Sequence, residues 1–150
     1  MKHFIKFTFA TIFALALISC GDDDGETIII DSSLPQGDFT ASVTGSFTAD
    51  AAPTSGMVEI GMDAEGTEFL RLADNFSTNV GTGAVAIYLS TSDTFTADPP
   101  NGNPDLQLVG SITTNGENFF ELDPEYDSKF THVIAWCTSV GVQFGNAPIN

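Results

Sequence analysis

From residue 38 onward, hydrophobic and polar positions change place over short runs. Met57-Val58-Glu59-Ile60-Gly61-Met62 alternates apolar with polar or small residues. Glu68-Phe69-Leu70-Arg71-Leu72 follows it after the turn signal Asp63-Ala64-Glu65-Gly66. Residues 39–43 and 45–48 alternate or carry β-branched side chains, and residues 84–89, 106–112, 118–122, 131–137 and 140–144 continue the series. Clusters of Gly, Asn, Asp or Pro separate nearly all of these runs. A period of two sends successive side chains to opposite faces of a strand. About eight short strands, spaced by roughly 8–12 residues, predict a small all-β antiparallel sandwich or barrel. No segment of this region holds a 3.6-residue apolar period for three turns, so helix should be minor. The longest expected connection, residues 91–105, reads T-S-D-T-F-T-A-D-P-P-N-G-N-P-D. Loops of that length inside a domain tend to be functional.

The beginning of the chain follows another pattern. Lys2, His3 and Lys6 precede an apolar stretch, residues 7–18, that is too short to span a bilayer and fits the h-region of a secretory signal. It ends in Leu17-Ile18-Ser19-Cys20, which resembles the lipobox of bacterial lipoproteins, where cleavage precedes the cysteine and its sulfur is acylated. Gly21-Asp22-Asp23-Asp24-Gly25-Glu26 follows directly. Such a run cannot bury apolar surface and should act as a tether. It resembles the acidic motif of surface-exposed lipoproteins of the Bacteroidetes type. The expected organisation is a signal peptide over residues 1–19, a lipidated Cys20 with an acidic linker over 20–36, and a β-domain over 37–150. The expected place is the outer membrane, lipid-anchored and exposed at the surface.

Charge and cysteine count narrow the chemistry. The chain has 4 Lys+Arg against 20 Asp+Glu. Loss of Lys2 and Lys6 with the signal leaves two basic side chains against twenty acidic ones, a formal charge of −18. That surface repels nucleic acid and anionic lipid headgroups, so the expected membrane contact is the lipid on Cys20 alone. With Cys20 acylated, Cys137 is the one thiol left and no internal disulfide can form. On a strand, Val133, Ala135 and Cys137 share one face, while His132, Ile134 and Trp136 share the other. Burial and the negative field both predict a raised thiol pKa, and the nearest imidazole faces away. The mature cations are Arg71, Lys129 and His132.

Other chemistry is poorly represented. There is no G-x-S-x-G elbow, no C-x-x-C-H haem attachment motif and no phosphate-cradling glycine loop. One cysteine and one histidine fall short of a zinc set. Asp98, Asn101, Asn103 and Asp105 offer oxygen atoms, but not at EF-hand spacing. No metal site is expected, and a hydrolase is a distant third among the functional classes.

Several motifs in one order carry a family resemblance: Pro53-Thr54-Ser55-Gly56-Met57-Val58, Leu72-Ala73-Asp74-Asn75-Phe76, Ile87-Tyr88-Leu89-Ser90 and Leu108-Val109-Gly110-Ser111-Ile112. They end in Val133-Ile134-Ala135-Trp136-Cys137 followed by Val142-Gln143-Phe144-Gly145-Asn146-Ala147. Together they resemble the DM-thirteen, or electron-transfer DM, domain, a small extracellular all-β module. The resemblance implies a redox or electron-transfer role, in which Cys137 is a redox thiol or a haem ligand, with Met57, Met62 and His132 as further axial candidates. A redox or cell-surface protein would be the partner. Two positions depart from the family pattern: Ala52 stands where a histidine is expected, and Gly81-Thr82-Gly83 replaces an acidic stretch. The alternative expectation is a non-catalytic surface binding or adhesion module, in which Cys137 is core packing and residues 91–105 make the contact.

The anchor has a direct consequence. Cys20→Ala should move the protein from the membrane pellet to the soluble fraction on cell fractionation. Unchanged membrane association would refute acylation at that position.

Overall fold

Alternation translates into two antiparallel sheets. The computed structural model describes residues 33–97 and 102–150. Cys20, the acidic run after it, Asp98 and Asn101 lie outside the described residues. Among the described residues the strands are β1 (Thr40–Ser46), β2 (Thr48–Ala49), β3 (Met57–Met62), β4 (Glu68–Leu72), β5 (Val85–Ser90), β6 (Leu106–Ile112), β7 (Asn118–Glu121), β8 (His132–Cys137) and β9 (Val142–Pro148). One sheet runs β1-β3-β4-β7 and the other β2-β9-β8-β5-β6. The single helical element among the described residues is a 3₁₀ turn at Val80–Thr82. The fold is therefore the all-β sandwich expected, with nine strands where about eight were read. The extra one arises because the chain leaves β1 for the other sheet after Phe47, and β2 is the short piece that pairs with β9. β9 also extends past the expected end at Phe144, as far as Pro148 opposite His132.

The core lies between the sheets and is built from every second residue. Val58, Ile60, Leu70 and Leu72 face Val85, Ile87, Leu89, Val133, Ala135 and Cys137, all of them buried. Each buried Val, Leu or Ile contributes roughly 1.5–3 kcal/mol of transfer free energy. The side of the sandwich by β1 is closed by backbone bonds in both directions between Thr44 and Asn150, each 3.2 Å. On the opposite side Gly110 of β6 lies against the Phe120 ring of β7, where a Cβ would overlap the ring.

Both outer faces are partly covered. On the β3–β4 turn Asp63 is buried and accepts from the backbone N–H of Gln36, Glu65 and Thr67, each at 2.9 Å. The Gln36 bond first, with its companions, holds the Asp63 carboxyl below its ordinary range against the opposing effect of burial. Gln36, within the expected linker, is thus tied to the β-domain. Phe39 packs edge-on against Phe119 and Phe119 against Phe69, which is why Phe69 is buried although it points away from the core.

Two motif glycines separate conformational from steric demands. Gly56 has φ of +106° and sits where a Cβ would overlap the Phe76 Cα; Gly66, at φ +85°, has open space around it. Gly66→Ala should cost about 1 kcal/mol of conformational strain. Gly56→Ala should cost roughly 2 kcal/mol or more, because backbone overlap adds to strain. Denaturant midpoints of the two variants measure the difference.

Candidate functional site: the Cys137 thiol

Cys137 ends β8, and parity decides where it points. Val133, Ala135 and Cys137 face the inter-sheet core with no exposed surface. His132 and Trp136 lie half-buried on the other face. His132 stands at the opposite end of the strand, roughly 16 Å away at about 3.3 Å per residue. Its Nδ1 is 2.9 Å from the Thr131 hydroxyl. The structure does not bring the imidazole and the thiol together.

The sulfur has neighbours that the sequence reading missed. Across the two ladders Cys137 is flanked by Val85 and Val142. Above it two turns converge. The 3₁₀ turn, capped by Asn79 Oδ1 accepting from Gly81 N at 3.1 Å, brings Thr82 Oγ1 to 3.3 Å from Sγ. The β8–β9 turn, closed by Gly141 N donating to the Cys137 carbonyl at 2.8 Å, brings Ser139 Oγ to 3.2 Å. Ser139 Oγ also donates to the Thr82 carbonyl at 2.7 Å and joins the two turns. Thr82 and Ser139 are themselves exposed, so the sulfur is covered by a single residue layer.

This cup corrects the expectation of a raised pKa. The thiol is held below its ordinary value by the Ser139 hydroxyl first and the Thr82 hydroxyl second. Burial opposes them, and the backbone N–H groups of Val140 and Ser139 add to the lowering. None of these groups carries a charge. Arg71, on β4 of the other sheet, is committed to Glu59 at 2.8 Å and Glu117 at 2.6 Å. Lys129 lies 4.0 Å from Asp127. The stabilising groups are neutral donors brought together by the fold, in place of the cations expected from the sequence.

Proton bookkeeping makes the cup two-sided. With the thiol protonated, Ser139 donates to the Thr82 carbonyl and can accept the S–H. Thr82 Oγ1 donates to the Asn79 carbonyl at 3.4 Å. With the thiolate formed, Thr82 can turn its proton from that carbonyl to sulfur, and Ser139 can turn its own from the Thr82 carbonyl, loosening the link between the turns. Protonation of the sulfur and the hydrogen bonds of its cover share these two hydroxyls.

The remaining motif residues are structural. Thr54 shares a 2.8 Å hydroxyl contact with Thr78 and donates to the Phe144 carbonyl at 3.0 Å. Ala52 is buried in the same core cluster as Phe76 and Phe144, at the position where a histidine was expected. Gln143 donates to Asp50 Oδ2 at 2.7 Å and to the Asp93 carbonyl at 2.8 Å, and accepts from Phe95 N at 2.8 Å. That clamp lays Phe95 flat on Trp136, with ring centroids 3.9 Å apart, and edge-on to Tyr88. The described part of the long loop is therefore strapped over the sheet. Asn103 Oδ1 accepts from Asp105 N at 2.9 Å, so that oxygen serves the turn itself. Among the described residues no group of three or more His, Cys, Asp or Glu could hold a metal ion. Met57 and Met62 lie 39% and 49% exposed on β3, in the sheet opposite Cys137.

Removing the donors tests their role. Thr82→Val and Ser139→Ala should each raise the Cys137 pKa, and Thr82→Asp should raise it further by placing a like charge over the thiolate. Ultraviolet thiolate absorbance against pH reads the shift. Ser139→Ala should in addition speed alkylation by removing the link between the turns.

Electron transfer DM13 is the family whose pattern matches, over residues 46–149, which spans β2 to β9 and the whole cup around Cys137. No curated protein and no solved structure matches the chain. The all-β sandwich, the ordered motifs and the match over more than two thirds of the chain agree: the chain belongs to the electron transfer DM13 family.

Proposed function

We propose that this chain is a lipid-anchored cell-envelope protein whose DM13 domain performs thiol-based redox or electron transfer at Cys137. The observation that carries the reading is the donor cup. Two hydroxyls and two backbone N–H groups surround the one cysteine of the domain and lower its pKa without any cation. Lowered pKa and access are what separate reactive from inert thiols. The cover is one residue thick, which makes access a matter of parting two turns.

With a single thiol, two-electron oxidation to a disulfide requires a second sulfur from a partner. The step consistent with the site is exchange with a partner protein's disulfide. Cys137 thiolate attacks one partner sulfur, a new S–S bond forms, the partner's S–S bond breaks, and the departing sulfur leaves as a thiolate that takes up a proton. The lipobox-like Leu17-Ile18-Ser19-Cys20 and the acidic run after it support an outer-membrane anchor with the domain facing outward. The domain is read as a redox module more than as a classical enzyme.

A second reading is favoured by one observation. Cys137 has no exposed surface and packs within the core cluster, as a small hydrophobe would. The protein would then be a binding or adhesion module that contacts its partner through residues 91–105.

Thiol reactivity separates the two. In the redox reading, native protein alkylates at Cys137 faster than it unfolds, and forms a mixed disulfide with a small disulfide reagent that Cys137→Ser abolishes. A thiol that reacts no faster than global unfolding would sink the redox reading and leave the binding module.

A further inference from the structure

We infer that Cys137 of this chain is kept as a thiol and is not a haem ligand. The inference deepens the redox reading above by fixing the chemical form of the sulfur, and it rests on that reading in treating the sulfur as the working atom. A thiolate that ligates haem iron needs an apolar slot for the macrocycle on the open side of the sulfur. Cys137 has no exposed surface, and its neighbours are of another kind. To either side within the sheet stand Val85 and Val142, its ladder neighbours, and Cys137 itself belongs to the cluster packed between the sheets. Toward solvent stand Thr82 and Ser139, whose hydroxyls lie at 3.3 and 3.2 Å and whose own surfaces are exposed.

A porphyrin on that side would replace both hydroxyls and lie on a polar surface turn. Four clefts of the described surface lie elsewhere. One of about 310 Å³ and one of about 270 Å³ flank the long loop, one of about 510 Å³ lies by Phe39 and Phe119, and one of about 380 Å³ lies by Pro124 and Lys129. Cys137 lines none of them. The other axial candidates are equally misplaced. His132 is at the far end of β8 on its opposite face, and Met57 and Met62 are on the other sheet. A hydroxyl cup of this kind suits a sulfur that gains and loses a proton.

The test uses the full chain in detergent micelles, titrated with haemin against empty micelles. Absorbance follows binding, and electron paramagnetic resonance of the ferric iron reports its ligand. No saturable complex with thiolate-ligated iron is expected, and Cys137→Ser should leave the titration unchanged. A saturable one-to-one complex with a thiolate signature, lost in a Cys137→Ser variant of native near-ultraviolet dichroism, would overturn the inference. If that variant does not fold, the resonance of the unaltered chain decides: thiolate ligation overturns the inference, and any other ligand or none upholds it. Failure of the disulfide-exchange assay together with a negative haem titration removes the redox reading and leaves this inference standing.

Discussion

β8 is hydrogen-bonded to β5 on one edge and to β9 on the other, and is packed on both faces. A strand held on four sides cannot slip by one residue without sending its whole core set outward. That constraint fixes Val133, Ala135 and Cys137 toward the core, and Ile134 and Trp136 toward the Tyr88–Phe95 cover. It also sets which residues can approach the sulfur. Because Cys137 is the last residue of β8, its upper side is bounded by turns, and turns can carry side chains that a packed strand could not place there. The bulge between Ala135 and Trp136 lets β9 keep Gln143 on the outer face, where it clamps the loop, while Phe144 still joins the core.

The cup shows local geometry prevailing over net charge. The chain carries a large excess of carboxylates, and a uniform negative field would disfavour a thiolate. Most of those carboxylates are exposed and screened beyond about a Debye length, ~8–10 Å. Hydrogen bonds at 3.2–3.3 Å act inside that distance and in a drier medium. Two hydroxyls and two amides therefore decide the direction of the shift, with burial as the opposing effect.

Local order was legible in the sequence and convergence was not. Alternation in Met57-Val58-Glu59-Ile60 and the continuous apolar run Val133-Ile134-Ala135-Trp136 identified the strands, and parity gave the face of Cys137, because it depends only on neighbours along the chain. The switch of the chain between sheets at Phe47 was hidden, since residues 45–48 read as one more alternating run. Thr82 was hidden for a stronger reason: 55 positions separate it from Cys137. Nothing in Gly81-Thr82-Gly83 signals a sulfur partner until β5 and β8 are paired. Ser139 was nearer to view. A hydroxyl two residues past a strand-ending cysteine, in a turn that Gly141 completes, is placed to fold back over it. Gln36 was read as linker for want of any local sign that Asp63 would accept its N–H.

Gly81-Thr82-Gly83, where the resemblance led to the expectation of an acidic stretch, is the segment that covers the sulfur. An acidic stretch at residues 81–83 would set a carboxylate over Cys137 and hold it as a protonated thiol. Thr82 sets a hydroxyl there instead, and the carbonyl of the same residue accepts from Ser139 Oγ. One residue thereby supplies a hydrogen bond to the thiolate and a competitor for the other donor. The sulfur gains its second donor only by releasing the link that closes the turns above it. Ionisation and the hydrogen bond between the turns therefore compete for the Ser139 proton.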